Sequence, residues 1–293
     1  MKSPANDPEA LLSRIKSTFP DITWTAYKYI SEGWDHEVLI LDQSLVFRFP
    51  NDEEYAKLLR DEIRALKQLK PFVPTRIPEY KYIAPDNSFA GYPFIPGRPL
   101  RKALFDSFSA SERTAIARQL AGLLSTMHGL VREGHDFAFV APSDMKEQQE
   151  TDKKQAKQSL RPALSPTDFT VVQEILAETD KLLAQKLPAV LIHGDIYNNH
   201  LLWDETTKQL GVIDFSDMNR GDPAFDFAEL YEYGKNFVRE VYSYYTGPKD
   251  GTFLDRAWTY QRWVGVFMML DHFINHKTSF EVARETFDRV KHK

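Results

Sequence analysis

The chain contains no cysteine. Disulfides, thiolate nucleophiles and zinc–thiolate centres are excluded at the outset. It also lacks a basic excess, with 37 Lys and Arg against 42 Asp and Glu, a formal net charge of −5. Such a surface is a poor general match for nucleic-acid phosphates and suits cationic partners better, so no nucleic-acid partner is expected. No apolar run is long enough to cross a bilayer, and the WVGVFMML stretch near the C-terminus is too short. The residues before Pro20 mix Lys2, Asp7, Glu9, Arg14 and Lys16 with scattered apolar side chains, which is not the pattern of a signal peptide. These absences predict a cytoplasmic protein with no membrane partner. A monomer is expected.

What is present is enough to fold. Hydrophobic residues make up 42% and aromatics 13%, sufficient for a real core. A length of 293 residues fits one large domain or two smaller ones around a shared cleft. The first part of the chain reads as strands with one helix. Thr23–Ile30 predicts a strand, and Val38–Leu41 and Leu45–Phe49 predict a pair joined at Asp42-Gln43-Ser44. Asn51 with Glu54 three residues on resembles a capping box opening a helix. Leu58, Leu59, Ile63, Leu66 and Leu69 give that helix its period, and Pro71 and Pro74 stop it. Extended pieces at Ile77–Ile83 and Tyr92–Ile95 follow. Pro96-Gly97-Arg98-Pro99 then punctuates the chain strongly. The boundary is placed there, giving an N-terminal lobe of residues 1–96 and a C-terminal lobe of 97–293.

Beyond the boundary, a helix from about Ser109 carries Ile116, Leu120, Leu123, Leu124 and Met127 on one face. Residues 131–161 are so polar that they read as an exposed helix or a mobile insertion. A further helix covers Asp168–Leu187, Pro188 ends it, and Val190-Leu191-Ile192 begins a strand.

The next window is HGDIYNNHLLWDETTKQLGVIDFSDMNRGDPAFDF, from His193. It predicts a loop, a hairpin of Leu201–Trp203 and Leu210–Ile213 turning at Asp204–Lys208, a second loop and a helix started by Asp222 and Pro223. The hairpin brings the residues before Leu201 and after Ile213 to one end, so Asp195 and His200 can approach Asp214. Phosphoryl transfer needs such a set: a carboxylate to orient a hydroxyl and take its proton, and O or N ligands for magnesium. Asp195 suits the first role, and Asp214 with His200 the second. The plain alternative is that these aspartates are turn and cap residues, as Asp204 is expected to be.

HGD, a short loop, a hairpin ending in IDF, and GDPxxDF together resemble the aminoglycoside phosphotransferase family, relatives of the protein kinases. The likeness is greatest to the 2″-aminoglycoside branch, whose loop also carries Asn-His. The resemblance implies an α+β, two-lobed, protein-kinase-like fold, with a small β-rich N-lobe containing one helix and a larger, mainly helical C-lobe carrying the catalytic hairpin. It implies an enzyme that moves the γ-phosphate of ATP or GTP, with Mg2+, onto a hydroxyl of a small, cationic, aminoglycoside-like molecule. By it, Asp195 matches the catalytic aspartate, His200 and Asp214 the metal positions, and His193 and Asp226 structural positions that brace the loop. His200 departs from the kinases' usual Asn, since magnesium prefers oxygen.

A kinase-like nucleotide site also needs a loop over the phosphates, a strand cation and a helical Glu. Ser31 and Gly33 lie in the stretch between the first two strands. Arg48 stands where the resemblance puts lysine, and Glu62 is its expected partner. Tyr92, Phe94 and Ile95 resemble the hinge that holds the base through backbone groups. For the acceptor amines the resemblance favours Asp217 and Glu232, with Trp263 as a wall. Two other readings stand beside this one. In the first, the acceptor is a macrolide, a choline-like molecule or a sugar amine. In the second, the chain is a nucleotide-binding pseudokinase.

Overall fold

A computed structural model describes residues 7–31, 35–130 and 134–291. In chain order the elements are α1 (Pro8–Thr18), β1 (Tyr27–Ile30), β2 (His36–Leu41), β3 (Leu45–Pro50), α2 (Glu53–Leu69), β4 (Tyr82–Ile83), β5 (Ala90–Pro93), β6 (Arg98–Pro99), α3 (Lys102–Ser107) and α4 (Ala110–Leu130). There follow α5 (Met145–Gln155), a π-helical stretch Ala156–Leu160, α6 (Arg161–Ala163), α7 (Pro166–Leu183), β7 (Val190–Ile192), β8 (Leu201–Asp204), β9 (Gln209–Val212) and β10 (Asn219–Gly221). Two 3₁₀ turns, Phe225–Phe227 and Glu229–Tyr233, lead to α8 (Lys235–Tyr244), α9 (Phe253–Ile274) and α10 (Phe280–Val290). The architecture is the α+β, kinase-like fold, and no described helix is long and apolar enough to cross a membrane. The chain forms two compact units. One takes the residues up to Leu104 together with Asn198–Met218; the other takes Phe105–Tyr197 and Asn219 onward.

The first unit is built on an antiparallel sheet ordered β1-β2-β3-β5-β4. The β2–β3 turn places Asp42 and Gln43 in the left-handed region, with φ of 47° and 50°. Two such residues in a row match the right-handed twist of a hairpin. Asp42 fixes the turn further, because its carboxylate accepts bonds from the Thr25 and Ala26 amides. α1 lays Leu11, Leu12 and Ile15 against Leu39, Leu41, Phe47 and Phe49 of the sheet.

This helix is one more than the sequence reading expected in the N-terminal region. Its signal was there: Asp7 caps the Glu9 amide, Pro8 takes the first turn, and Leu11, Leu12 and Ile15 repeat at helical spacing. α2 also starts differently from expectation. Its cap is Asp52, extended and accepting from the Tyr55 amide, so Asn51 and Glu54 form no capping box.

The hairpin of β8 and β9 belongs to this unit and pairs with β6. Gly97 turns the chain into β6 with φ of +139°, and an added Cβ would sit 3.0 Å from the Trp203 backbone. Only glycine meets both demands. Asp204 is a turn residue as expected, taking the amides of Thr206 and Thr207 and the Arg76 guanidinium.

In the second unit α4 supplies the core. Ile116, Leu120, Leu123, Leu124 and Met127 are fully buried, and Ser109 and Glu112 form the reciprocal capping box. The polar stretch after α4 is neither a free helix nor a bare insertion. α5 buries Gln149 and Asp152, and Asp152 accepts the Trp263 indole N–H of α9 at 2.7 Å. Asp222 does not start a long helix as expected: it accepts the Ala224 amide at 3.2 Å, just ahead of a short 3₁₀ segment whose N-cap is Ala224. Its carboxylate is taken chiefly by Arg256, at 2.8 and 3.2 Å, and by the Tyr260 hydroxyl, all three being buried.

Candidate active site

In the first unit the site grows from the middle of the sheet. Arg48 sits on β3, opposite Val38 of β2 and Ala90 of β5, and is 5% exposed. A guanidinium so deep must have every donor answered. Nη1 reaches both oxygens of Glu62, at 3.0 and 2.8 Å, and the Tyr80 hydroxyl at 3.2 Å. Nη2 reaches His36 Nδ1 at 3.1 Å and Asp214 Oδ1 at 3.0 Å. Burial works against the Arg48 charge, yet Glu62, and with it Tyr80 and Asp214, hold its proton more tightly than usual.

His36 and Tyr80 were not foreseen. Neither carries a sequence signal, because each matters only through what the folded sheet places beside it. A guanidinium can only donate, so His36 Nδ1 accepts and its proton lies on Nε2. Burial and then the Arg48 charge drive the His36 pKa down to about 2.

Asp214 closes the cluster from the loop after β9. The Ile213 amide donates to the His200 carbonyl, so the two sides of the hairpin mouth are tied together. Asp214 has a φ of 63°, a left-handed conformation that a non-glycine residue adopts at a cost. Its Oδ1 accepts from Arg48 and from the Ser216 hydroxyl, and its Oδ2 lies 3.4 Å from His200 Nε2. Burial would raise its pKa, but Arg48 and then His200 outweigh that and hold the carboxyl well below the ordinary range.

The second unit carries the HGD loop. Buried Asp226 takes the amides of His193 and Gly194, each at 2.9 Å, and His128 Nε2 at 3.0 Å. The Asp195 amide in turn donates to His193 Nδ1 at 3.2 Å. Gly194 makes the bend with φ of 86°. Asp195, half-buried, projects from a loop whose backbone is fixed on both preceding residues.

The expected residues thus fall as follows. Arg48, Glu62, Asp214 and His200 come together in the first unit, and His193, Asp195 and Asp226 in the second. Ser31 bonds to Tyr29, while Gly33 lies outside the described residues. Tyr92 and Ile95 are buried in one cluster with Val46 and Leu202, and the Phe94 amide already donates to the Ser44 carbonyl. Asp217 is exposed, and Glu232 is half-buried on a 3₁₀ turn. Trp263 is 5% exposed with its N–H on Asp152, so it lies in the core of its unit.

For magnesium, among the described residues no group of three or more His, Asp or Glu converges as a cage. Magnesium does not require one. It keeps several waters and is held by one or two carboxylates completed by phosphate oxygens. An ionised Asp214 whose Oδ2 faces His200 fits that thinner donor set.

The family model described as APH, phosphotransferase enzyme family, matches residues 26–260. Viomycin phosphotransferase of Streptomyces vinaceus is 30% identical over 151 residues, 50% of this chain and 51% of that protein. The chain thus spans about half the length of that curated relative. The GDP and kanamycin complex of APH(2″)-IIIa superposes with a TM-score of 0.83 at 23% identity, covering 96% of this chain and 97% of that one. Macrolide 2′-phosphotransferase type I superposes with a TM-score of 0.68 at 17% identity, covering 99% of both chains.

Proposed function

Because this chain belongs to the APH phosphotransferase enzyme family, we propose that it transfers the γ-phosphate of ATP or GTP to a hydroxyl of an aminoglycoside. The observation that carries the reading is the cluster on Asp214. A buried strand cation, its helical glutamate and the two candidate metal-binding side chains meet there through direct contacts. The GDP and kanamycin of the similar APH(2″)-IIIa complex support a nucleoside triphosphate donor and an aminoglycoside acceptor. The net charge of −5 suits a polycation.

In this reading the acceptor hydroxyl donates to the Asp195 carboxylate. Its oxygen bonds to the γ-phosphorus as the bond to the β–γ bridging oxygen breaks. The proton passes to Asp195, and the nucleoside diphosphate leaves. Asp214 and His200 are the residues that would hold magnesium, which when bound neutralises charge on the phosphate oxygens. Arg48, fixed by Glu62, Tyr80 and His36, keeps a permanent positive charge beside Asp214. Asp217 and Glu232 are the carboxylates offered to the acceptor's amines.

The test is an acceptor panel with radiolabelled ATP and GTP, run beside Asp195→Ala. Transfer to kanamycin or gentamicin that disappears in the variant is the expected result. Transfer to erythromycin alone rejects the acceptor and keeps the reaction; the likeness to the macrolide enzyme makes that the second reading. Nucleotide binding with no transfer to any acceptor overturns the enzyme.

A further inference from the structure

The hydrogens at the two ends of the Arg48 fork are all spent inside the chain. Those on Nη1 go to Glu62 and the Tyr80 hydroxyl, and those on Nη2 go to His36 Nδ1 and Asp214 Oδ1. None of the four is left for a ligand. One donor in the cluster is still unanswered. His36 is 3% exposed, and its Nε2 meets no hydrogen-bond partner among the described residues. Because Nδ1 accepts from a group that only donates, Nε2 carries the proton. A buried N–H without a partner is costly, and it calls for an explanation.

Strand register gives the direction in which the ring lies. On β2 the side chains of residues 36, 38 and 40 share one face. Val38 and Ile40 pack against the cluster of Val46, Tyr92, Ile95 and Leu202. His36 continues this face at the N-terminal end of the strand. Four residues of strand span about 13 Å, the scale of a nucleotide from base to phosphates. A base seated beside Tyr92–Ile95 therefore sends its phosphates along β2 towards His36. Asp214, bonded to the same Nη2 as His36, has a side chain 37% exposed, so this end of the cluster opens to solvent.

The ring also carries the effect of the arginine. A bond from a guanidinium to Nδ1 draws electrons through the imidazole and makes Nε2–H a stronger donor. We infer that His36 Nε2–H binds a phosphate oxygen of the nucleotide, so that Arg48, saturated by its own chain, acts on the phosphates through the His36 ring and not by direct contact. No proton is transferred. The inference rests on the reading of this cluster as a nucleotide site, and it assigns the phosphate contact to a residue that the motif does not predict.

Two variants separate the two edges of the ring. His36→Asn keeps an acceptor where Nδ1 stood and removes the donor at Nε2. His36→Gln carries an amide N–H at the reach of Nε2 and gives up the acceptor for Arg48. Each is titrated directly with ADP, GDP, adenosine and guanosine at one magnesium concentration, and unfolded in urea. For the diphosphate that the parent binds, Kd in His36→Asn should rise about 10-fold to 100-fold, with nucleoside affinity within about threefold of the parent. His36→Gln should bind the diphosphate more tightly than His36→Asn while being the less stable of the two. In the parent labelled with 15N-histidine, the Nε2–H signal that the variants lack should move with the diphosphate and not with the nucleoside.

A His36→Asn chain whose diphosphate Kd stays within about threefold of the parent overturns the inference. So does an equal loss of diphosphate and nucleoside, which marks a packing role. An Nε2–H signal unmoved by the diphosphate marks a trapped water and overturns it too. If His36→Asn does not fold, the parent's spectrum decides, and the absence of any Nε2–H signal that moves with the diphosphate overturns the inference. None of these measurements needs an acceptor. A chain that binds the diphosphate through His36 and transfers to no acceptor defeats the proposed function alone. A chain that transfers phosphate while His36→Asn binds as the parent does defeats this inference alone.

Discussion

Arg48 Nη2 lies 3.0 Å from Asp214 Oδ1, joining the middle strand of the sheet to a loop 166 residues further along the chain. The same guanidinium holds Glu62, Tyr80 and His36. An ammonium is a single point on a flexible stem and cannot span four partners that a planar fork reaches. Arg48→Lys is therefore not conservative here, even though lysine is the residue the family resemblance leads one to expect. It should destabilise the protein by about 1–3 kcal/mol, because His36 and Asp214 lose a buried partner. Arg48→Met should cost about 3–5 kcal/mol, because Glu62 is left as an uncompensated buried charge. Urea unfolding of the two variants measures both. A lysine variant as stable as the parent contradicts the four-way role.

Asp214→Asn separates shape from charge. The amide keeps the volume and can still accept from Arg48, but it is a weak magnesium ligand. In the parent, ATP or GTP should raise Tm more with magnesium than without it. In the variant the two shifts should coincide, because the increment from magnesium is gone. The comparison is made by thermal unfolding at one nucleotide concentration with magnesium or with EDTA. A variant that keeps the magnesium increment places the ion elsewhere.

Asp152 gives the molecule a pH dependence of a definite sign. Its burial raises the pKa to about 6 despite the bonds from Gln148 and Trp263. The folded state therefore binds the proton more tightly than the unfolded chain. Its contribution is fully present below the ordinary carboxyl pKa of about 4 and is lost as pH rises through about 6. Asp152→Asn removes that loss, and should stabilise the protein by on the order of 2–3 kcal/mol at pH 7 relative to pH 4. The check is the difference in Tm between parent and variant from pH 4 to 8. A difference that does not change with pH sinks the assignment.

Much of this was legible in the sequence because it rests on local rules. The hairpin of β8 and β9, the β2–β3 pair and the apolar face of α4 follow from residue periods and turn residues that the chain spells out. So did the Arg48–Glu62 pair, once a strand cation and a helical acid had been paired by analogy. The rest depends on contacts that spacing cannot reveal. His36 and Tyr80 lie 12 and 32 residues from Arg48 and meet it only through sheet register. Asp152, in a stretch that looks wholly solvated, is buried because α9 offers an indole N–H across 111 residues. The misplaced start of α2 is of a different kind. Asn51 and Asp52 are both good caps, and only the extended backbone of Asp52 decides between them.

The acceptor reading has its own test in Asp217 and Glu232. Asp217 is exposed, so Asp217→Asn should leave Tm unchanged within error, and Glu232 is half-buried on a turn. If these carboxylates meet the amines of an aminoglycoside, each neutral variant loses a charge-assisted contact of about 1.5 kcal/mol, about tenfold in the KM for kanamycin, with kcat retained. Attraction between exposed charges is also screened by salt. The parent's KM for kanamycin should therefore rise between low and high ionic strength, and the double variant's should rise less. A loss of kcat with unchanged KM would instead assign these residues to the chemical step or to the loop, and a KM insensitive to both changes would move the acceptor's amines to other carboxylates.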